Sequence, residues 1–159
     1  MTGTDPRHAG ALLEIDLGAI RANYRDLRAR TRGACAAVVK ADAYGLGAAV
    51  VASALHAEGA RRFFVAHLDE ALALRPALPI GTEILVLNGL PPGAEADCAA
   101  AEIIPVLNSL GQVDAWTALA SRRGRPLPAA IQVDTGMSRM GCRRTSSPSS
   151  PPIRHGWRA

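Results

Sequence analysis

Five short, mostly apolar runs, at 34–39, 62–66, 83–87, 103–107 and 129–133, recur along the chain, and each gap between them holds a segment with helical spacing. Runs of this length suit strands of a parallel sheet buried on both faces. Their alternation with helices over short connections predicts parallel βαβ units. The intervening signals agree. Residues 48–58 read as a helix closed by Gly59, and 68–75 as a helix with Asp69 and Glu70 in its first turn, stopped by Pro76. A further helix is expected over 94–101. Ser109 then caps one carrying Leu110, Val113, Trp116 and Ala120 at helical spacing. Pro105 speaks mildly against its own strand, because proline lacks a ladder donor.

Upstream, residues 1–10 are polar and expected to be loose, 11–15 read as a short strand, and Asp16 is a candidate N-cap. The helix it opens places Leu17, Ile20, Tyr24 and Leu27 on one side and Arg21, Arg25 and Arg28 on the other. Five parallel strands are the first part of either a closed barrel or an open doubly wound sheet, and periodicity does not choose between them. A complete eight-unit barrel takes about 250 residues, more than the 159 present.

Composition removes several classes of function. No apolar run approaches the roughly 20 residues of a membrane span, and the start lacks a basic-then-apolar leader, so no membrane role and a cytoplasmic location are expected. Cys35, Cys98 and Cys142 are odd in number and widely spaced, which argues for free thiols and against a zinc site or disulfide framework. Four of the eighteen basic residues, Arg143, Arg144, Arg154 and Arg158, lie in 142–159 beside no acid, leaving fourteen against all fourteen acids in the body. A neutral body argues against a nucleic-acid partner. The tail itself, rich in serine, proline and arginine, has no periodicity and is expected to be disordered.

One residue type is conspicuous by its rarity. Seventeen of the eighteen cations are arginine, and Lys40, at the end of the first apolar run, is the single lysine. A guanidinium supplies charge and carboxylate pairing but stays protonated and cannot form a Schiff base with an aldehyde. The position that keeps an amine is therefore the candidate for amine chemistry, as nucleophile or general base.

The segment Val38-Val39-Lys40-Ala41-Asp42-Ala43-Tyr44-Gly45 resembles the cofactor-anchoring motif of the alanine racemases, and Val133-Asp134-Thr135-Gly136-Met137-Ser138-Arg139-Met140-Gly141 resembles a second motif of that family. Residues 13–23 are similar to the family's opening, so the likeness extends over about 11–141. The resemblance implies a partial (β/α)8 barrel of about the first five βα units, in an α/β class, with the family's C-terminal β-rich domain absent. It implies pyridoxal 5'-phosphate as cofactor, alanine as substrate and a homodimer. By that resemblance Lys40 holds the cofactor as an imine and serves as base on one face of the substrate. Tyr44 hydrogen-bonds the cofactor phosphate, and Arg139 contacts both the cofactor's phenolic oxygen and the substrate carboxylate. Asp134, Thr135 and Gly136 are expected to shape a turn, Asp42 to stabilise one, and Met137 to pack. Leu46 stands where many relatives carry histidine, and Gln132 where some carry a carbamylated lysine that positions the arginine. Nothing in the motifs calls for His56 or His67.

The family's second catalytic base, its glycine-rich phosphate cradle and the arginine facing the pyridine nitrogen have no counterpart here. The expectation is an incomplete, inactive form of an alanine racemase, its reading frame lost just past Gly141; the other reading of 142–159 is a natural flexible tail with a binding role. The alternatives are a non-catalytic pyridoxal-phosphate-binding barrel, whose members lack the Asp-Ala-Tyr-Gly that follows Lys40, or a racemase of another amino acid.

Overall fold

The computed structural model describes residues 6–143. Asp16 caps α1 (Leu17–Arg30) as expected, its Oδ1 accepting from Ala19 N at 3.0 Å. There follow β1 (Ala37–Val38), the single turn α2 (Lys40–Gly45), α3 (Ala48–Ala57), β2 (Arg62–Val65), α4 (Leu68–Leu74) and β3 (Glu83–Val86). Next come α5 (Glu95–Ala100), β4 (Ile104–Leu107), α6 (Leu110–Arg122), β5 (Ala130–Ile131), β6 (Val133–Asp134) and β7 (Cys142–Arg143). The expected proline strand forms, with Pro105 opposite Val86. Residues 144–159, most of the segment expected to be disordered, lie outside the described residues.

β1 to β5 form one sheet in sequential order, every neighbouring pair parallel. That order decides what periodicity left open. A doubly wound sheet reverses its strand order at a switch point. Here there is no reversal, and right-handed crossovers repeated in one direction put every connecting helix on the same face. This is the wall of a barrel. The alternation of side chains along each strand sorts the two faces. Ala37, Val39, Phe63, Val65, Ile84, Val86 and Leu107 belong to one buried cluster with Val51, Leu55, Leu68, Leu74 and Trp116 of the helices. The intervening Val38, Phe64 and Leu85 are paired in register with one another and project to the opposite, inner face.

Among the described residues the sheet is open at both ends, with β1 and β5 as its edges. The strand expected over 11–15 does not form: Leu12 and Leu13 are 72% and 77% exposed, and the backbone there belongs to no element. An isolated extended segment has no ladder to join, and no described strand pairs with it. The last apolar run is also divided. Val133 leaves the sheet and, with Asp134, pairs parallel to Cys142 and Arg143.

Burial separates the three cysteines, all of them free thiols as expected. Cys98 is fully enclosed, its Sγ donating to Ile103 O at 3.2 Å, and burial, with a smaller effect of Glu95, pushes its pKa up to about 12. The thiolate is the reactive species, and at pH 8 about one Cys98 in 10⁴ carries that form. Alkylation under native conditions is expected to mark Cys35 and Cys142 and to reach Cys98 only with denaturant, which mass mapping of the labelled peptides would check.

Candidate active site

Parallel strands of a barrel wall present their carboxyl ends on one rim, and the residues that follow β1 to β5 are Lys40, Ala66-His67, Leu87-Asn88, Asn108 and Gln132. Lys40 directly follows Val39, whose N–H donates to Phe64 O at 2.8 Å and so ties the end of β1 to β2. From there the chain turns with the wrong hand for L-residues. Ala41, Asp42, Ala43 and Tyr44 all have φ between 51° and 58°, a left-handed turn completed by Gly45 at φ 86°. Each L-residue held in that region costs roughly 1–2 kcal/mol.

Hydrogen bonds to its surroundings offset this strain. Ala43 N donates to Val39 O at 3.0 Å and Gly47 N to Asp42 O at 2.9 Å. The Asp42 carboxylate accepts from Ala48 N at 2.6 Å, capping the start of α3, so its expected role in the turn is what the structure shows. From outside the turn, Glu70 Oε1 accepts from Ala41 N at 2.8 Å. The apolar contribution is Ala43, buried beneath the turn.

The turn brings Tyr44 back toward Lys40, with the lysine Nζ 5.9 Å from the ring centroid, at the outer limit of a cation–π contact. Tyr44 is 64% exposed, whereas Lys40 is partly buried. A cavity of about 200 Å³ lies below, lined by Val39, Asp42, Ala48, Val65, Glu70 and Leu74 among others.

The second motif forms the loop between β6 and β7. Asp134 Oδ1 accepts from both Gly136 N and Ser138 N at 3.0 Å, so this side chain organises the turn as expected. Gly141, at φ 117°, has no room for a side chain: a Cβ there would stand 2.8 Å from Asp134 N. Gln132 holds the loop's far end, its Nε2 donating to Met140 O at 3.1 Å and its carbonyl accepting from Cys142 N at 2.7 Å. Gln132 therefore fixes the residue next to Arg139 through the backbone and leaves the arginine side chain alone. Arg139 is exposed, with no hydrogen bond or ion pair found among the described residues. Met137 corrects an expectation. It is 75% exposed and does not pack, because the loop has been lifted off the sheet at Val133.

Lys40 and Tyr44 are thus brought together, whereas Arg139 follows the opposite edge of the sheet. Four strand spacings of about 4.8 Å separate β1 from β5 along the surface, and only the curvature of the wall shortens that path. Between them the rim carries His67, which the motifs do not call for, and polar groups that had no sequence signal. His67 lies with its Nε2 3.2 Å from Asn88 Nδ2, beside a groove of about 610 Å³ that Leu68, Leu72 and Leu90 help to line. Gln112 Oε1 accepts from Asn108 N at 2.7 Å. Glu70 was legible only as an acid in a helix's first turn, and its reach across to Ala41 had no sequence signal. Among the described residues, no three His, Cys, Asp or Glu side chains are grouped to hold a metal ion.

The model of the alanine racemase N-terminal domain matches residues 15–149, somewhat beyond the point at which the two motifs end. A catabolic alanine racemase of Mesorhizobium japonicum is 60% identical over 134 residues, which cover 84% of this chain and 35% of that protein. Among solved structures, the alanine racemase from Bartonella henselae with covalently bound pyridoxal phosphate superposes with a TM-score of 0.80 at 48% identity, over 82% of this chain and 38% of that one. A histidine racemase from Leuconostoc mesenteroides gives a TM-score of 0.72 at 30% identity, over 80% of this chain and 34% of its own. The chain spans about a third of the length of these relatives.

Proposed function

The chain belongs to the alanine racemase N-terminal domain family, and from that premise we propose that it carries the cofactor-anchoring half of an amino-acid racemase site, with Lys40 as the anchoring amine. The fold is a partial (β/α)8 barrel of five parallel strands, the first four followed by helices. One observation carries the reading. The chain's only lysine stands at the carboxyl end of a barrel strand, aimed by a strained left-handed turn that also returns a tyrosine beside it.

The donor set fits pyridoxal 5'-phosphate. An aldehyde needs a primary amine, a phosphate needs hydrogen-bond donors, and a phenolic oxygen beside a carboxylate suits a guanidinium fork. Lys40, Tyr44 and Arg139 supply these groups in turn. When bound, the cofactor supplies an electron sink that makes the α-proton of an amino acid removable. Lys40 would hold the cofactor's aldehyde carbon, and its amine would be the base that takes that proton from one face. Tyr44, 64% exposed, would donate its hydroxyl to a phosphate oxygen. Arg139 pairs with the substrate carboxylate.

Alanine is the substrate that the names of the most similar relatives support. A histidine racemase shares the fold at 30% identity, and a racemase of another amino acid is the second reading. The complete enzyme is proposed to act as a homodimer in the cytoplasm; no helix among the described residues is long and apolar enough to cross a membrane. The test of the reading is chemical. After incubation with pyridoxal phosphate and borohydride reduction, peptide mapping should place the label on Lys40, because the only other amine is the N-terminus. A label elsewhere, or one that persists in Lys40→Arg, would refute it.

A further inference from the structure

Among the described residues, only one side chain from another element donates to or accepts from the backbone of the left-handed turn, and it is a carboxylate. Glu70 lies in the first turn of α4, partly buried, and its two oxygens are committed to three backbone N–H groups. Oε2 accepts from Ala66 N at 2.6 Å and His67 N at 3.2 Å, which fixes the passage from β2 into α4. Oε1 crosses to the neighbouring unit and accepts from Ala41 N at 2.8 Å. That N–H belongs to the peptide that joins Lys40 to the first residue of positive φ. The remaining turn hydrogen bonds begin farther on, at Ala43, Leu46, Gly47 and Ala48.

We infer that Glu70 is a positioning residue for Lys40: by holding the Lys40–Ala41 peptide against the end of β2, it selects the left-handed turn and so sets the direction in which the lysine amine leaves the strand. The inference rests on Lys40 being the cofactor-bearing amine. The physical reason is that the turn has a cheaper right-handed alternative for every residue from Ala41 to Tyr44. What decides between the two hands is where the first N–H of the turn finds an acceptor. A carboxylate meets the requirement because it is an acceptor at both oxygens. Glutamine has the same shape, but one of its two positions becomes an NH₂ facing backbone donors. Aspartate keeps both acceptors but is one methylene shorter, so it serves Ala66 and His67 without spanning to Ala41.

The experiment uses the full chain and two readouts. Backbone amide exchange is followed at Ala41, with Val39, bonded to Phe64 O, as internal reference. Borohydride-fixed pyridoxal phosphate is measured at Lys40 relative to the N-terminal amine. Glu70→Gln and Glu70→Asp are compared with Ser109→Ala, which removes the cap of α6 on another unit. Losing a hydrogen bond to a charged acceptor is expected to speed Ala41 exchange about 10- to 100-fold in both Glu70 variants. Val39 should be unchanged, and the Lys40 share of label should fall about tenfold. Ser109→Ala should move neither. Should Glu70→Gln fail to fold, so that Val39 exchanges as fast as Ala41, Glu70→Asp carries the test. Unchanged Ala41 exchange would overturn the inference, as would faster exchange with undiminished labelling of Lys40. Absence of label at Lys40 in the unmodified chain refutes the functional reading instead, and exchange at Ala41 still decides whether Glu70 holds the turn.

Discussion

Supplied with pyridoxal phosphate, the 159-residue chain is expected to racemise alanine no faster than the free cofactor does. Inversion at the α-carbon removes a proton on one face and delivers one on the other. Lys40 is proposed to serve one face, and the neighbouring Tyr44, carried on the same turn, to bind phosphate. A positioned acid or base contributes about 10²–10⁴-fold, so the expected lack of a second base on the opposite face would remove a factor of that size from turnover. Cofactor retention falls as well. Among the groups proposed here, Tyr44 alone donates to the phosphate, and it is 64% exposed, where water competes for the same bond. A chain continued to the length of the relatives, about two and a half times this one, is expected to interconvert L- and D-alanine, and Lys40→Ala in that longer chain to abolish the activity. A coupled D-alanine assay on the three proteins measures all of this. Turnover by the 159-residue chain would show that its own residues complete both faces, and an inactive long chain would favour a cofactor-binding role without catalysis.

The same chain is expected to self-associate. A barrel removes its strand edges by closing, and five strands in sequential order leave both edges of the sheet unpaired, at β1 and β5. The inner face is apolar as well, with Val38, Phe64 and Leu85 in register across three strands and Val38 still 45% exposed. Unpaired parallel edges next to an apolar face template the addition of further strands, and charge on an edge opposes that addition. Size-exclusion chromatography should therefore find oligomers whose proportion rises with concentration, and Ile131→Lys, on the β5 edge, should shift the distribution toward monomer. A monomer that melts cooperatively without the substitution would mean that the loops close over the edges in solution.

Much of the site could be read before any coordinates, and the reason is local. A lone lysine after a buried apolar run, with glycines at 45 and 47, marks a strand end and a turn, because those signals act over a few residues. The roles of Asp42 and Asp134 were legible in the same way, since a short carboxylate reaches amides a few positions along its own chain. The five strands and their helices followed from periodicity, which reports burial residue by residue.

The rest was decided between elements. Whether 11–15 makes a strand depends on a partner, and Leu12 and Leu13 show that their apolar character alone does not supply one. Met137 looked like a packing residue until the loop left the sheet. Barrel wall or doubly wound sheet turned on the absence of a strand-order reversal, a property of the whole sheet. The hand of the turn after Lys40 is the sharpest case. Ala-Asp-Ala-Tyr has no intrinsic preference for positive φ, and the acceptor that meets its first N–H sits on Glu70, twenty-nine positions away. The sequence by itself determined which group is the candidate for amine chemistry and that it stands at a strand's end; the hand of the turn beside it was decided only when the β2–α4 junction packed beside β1, because a hydrogen bond between two units exists only once both have been placed.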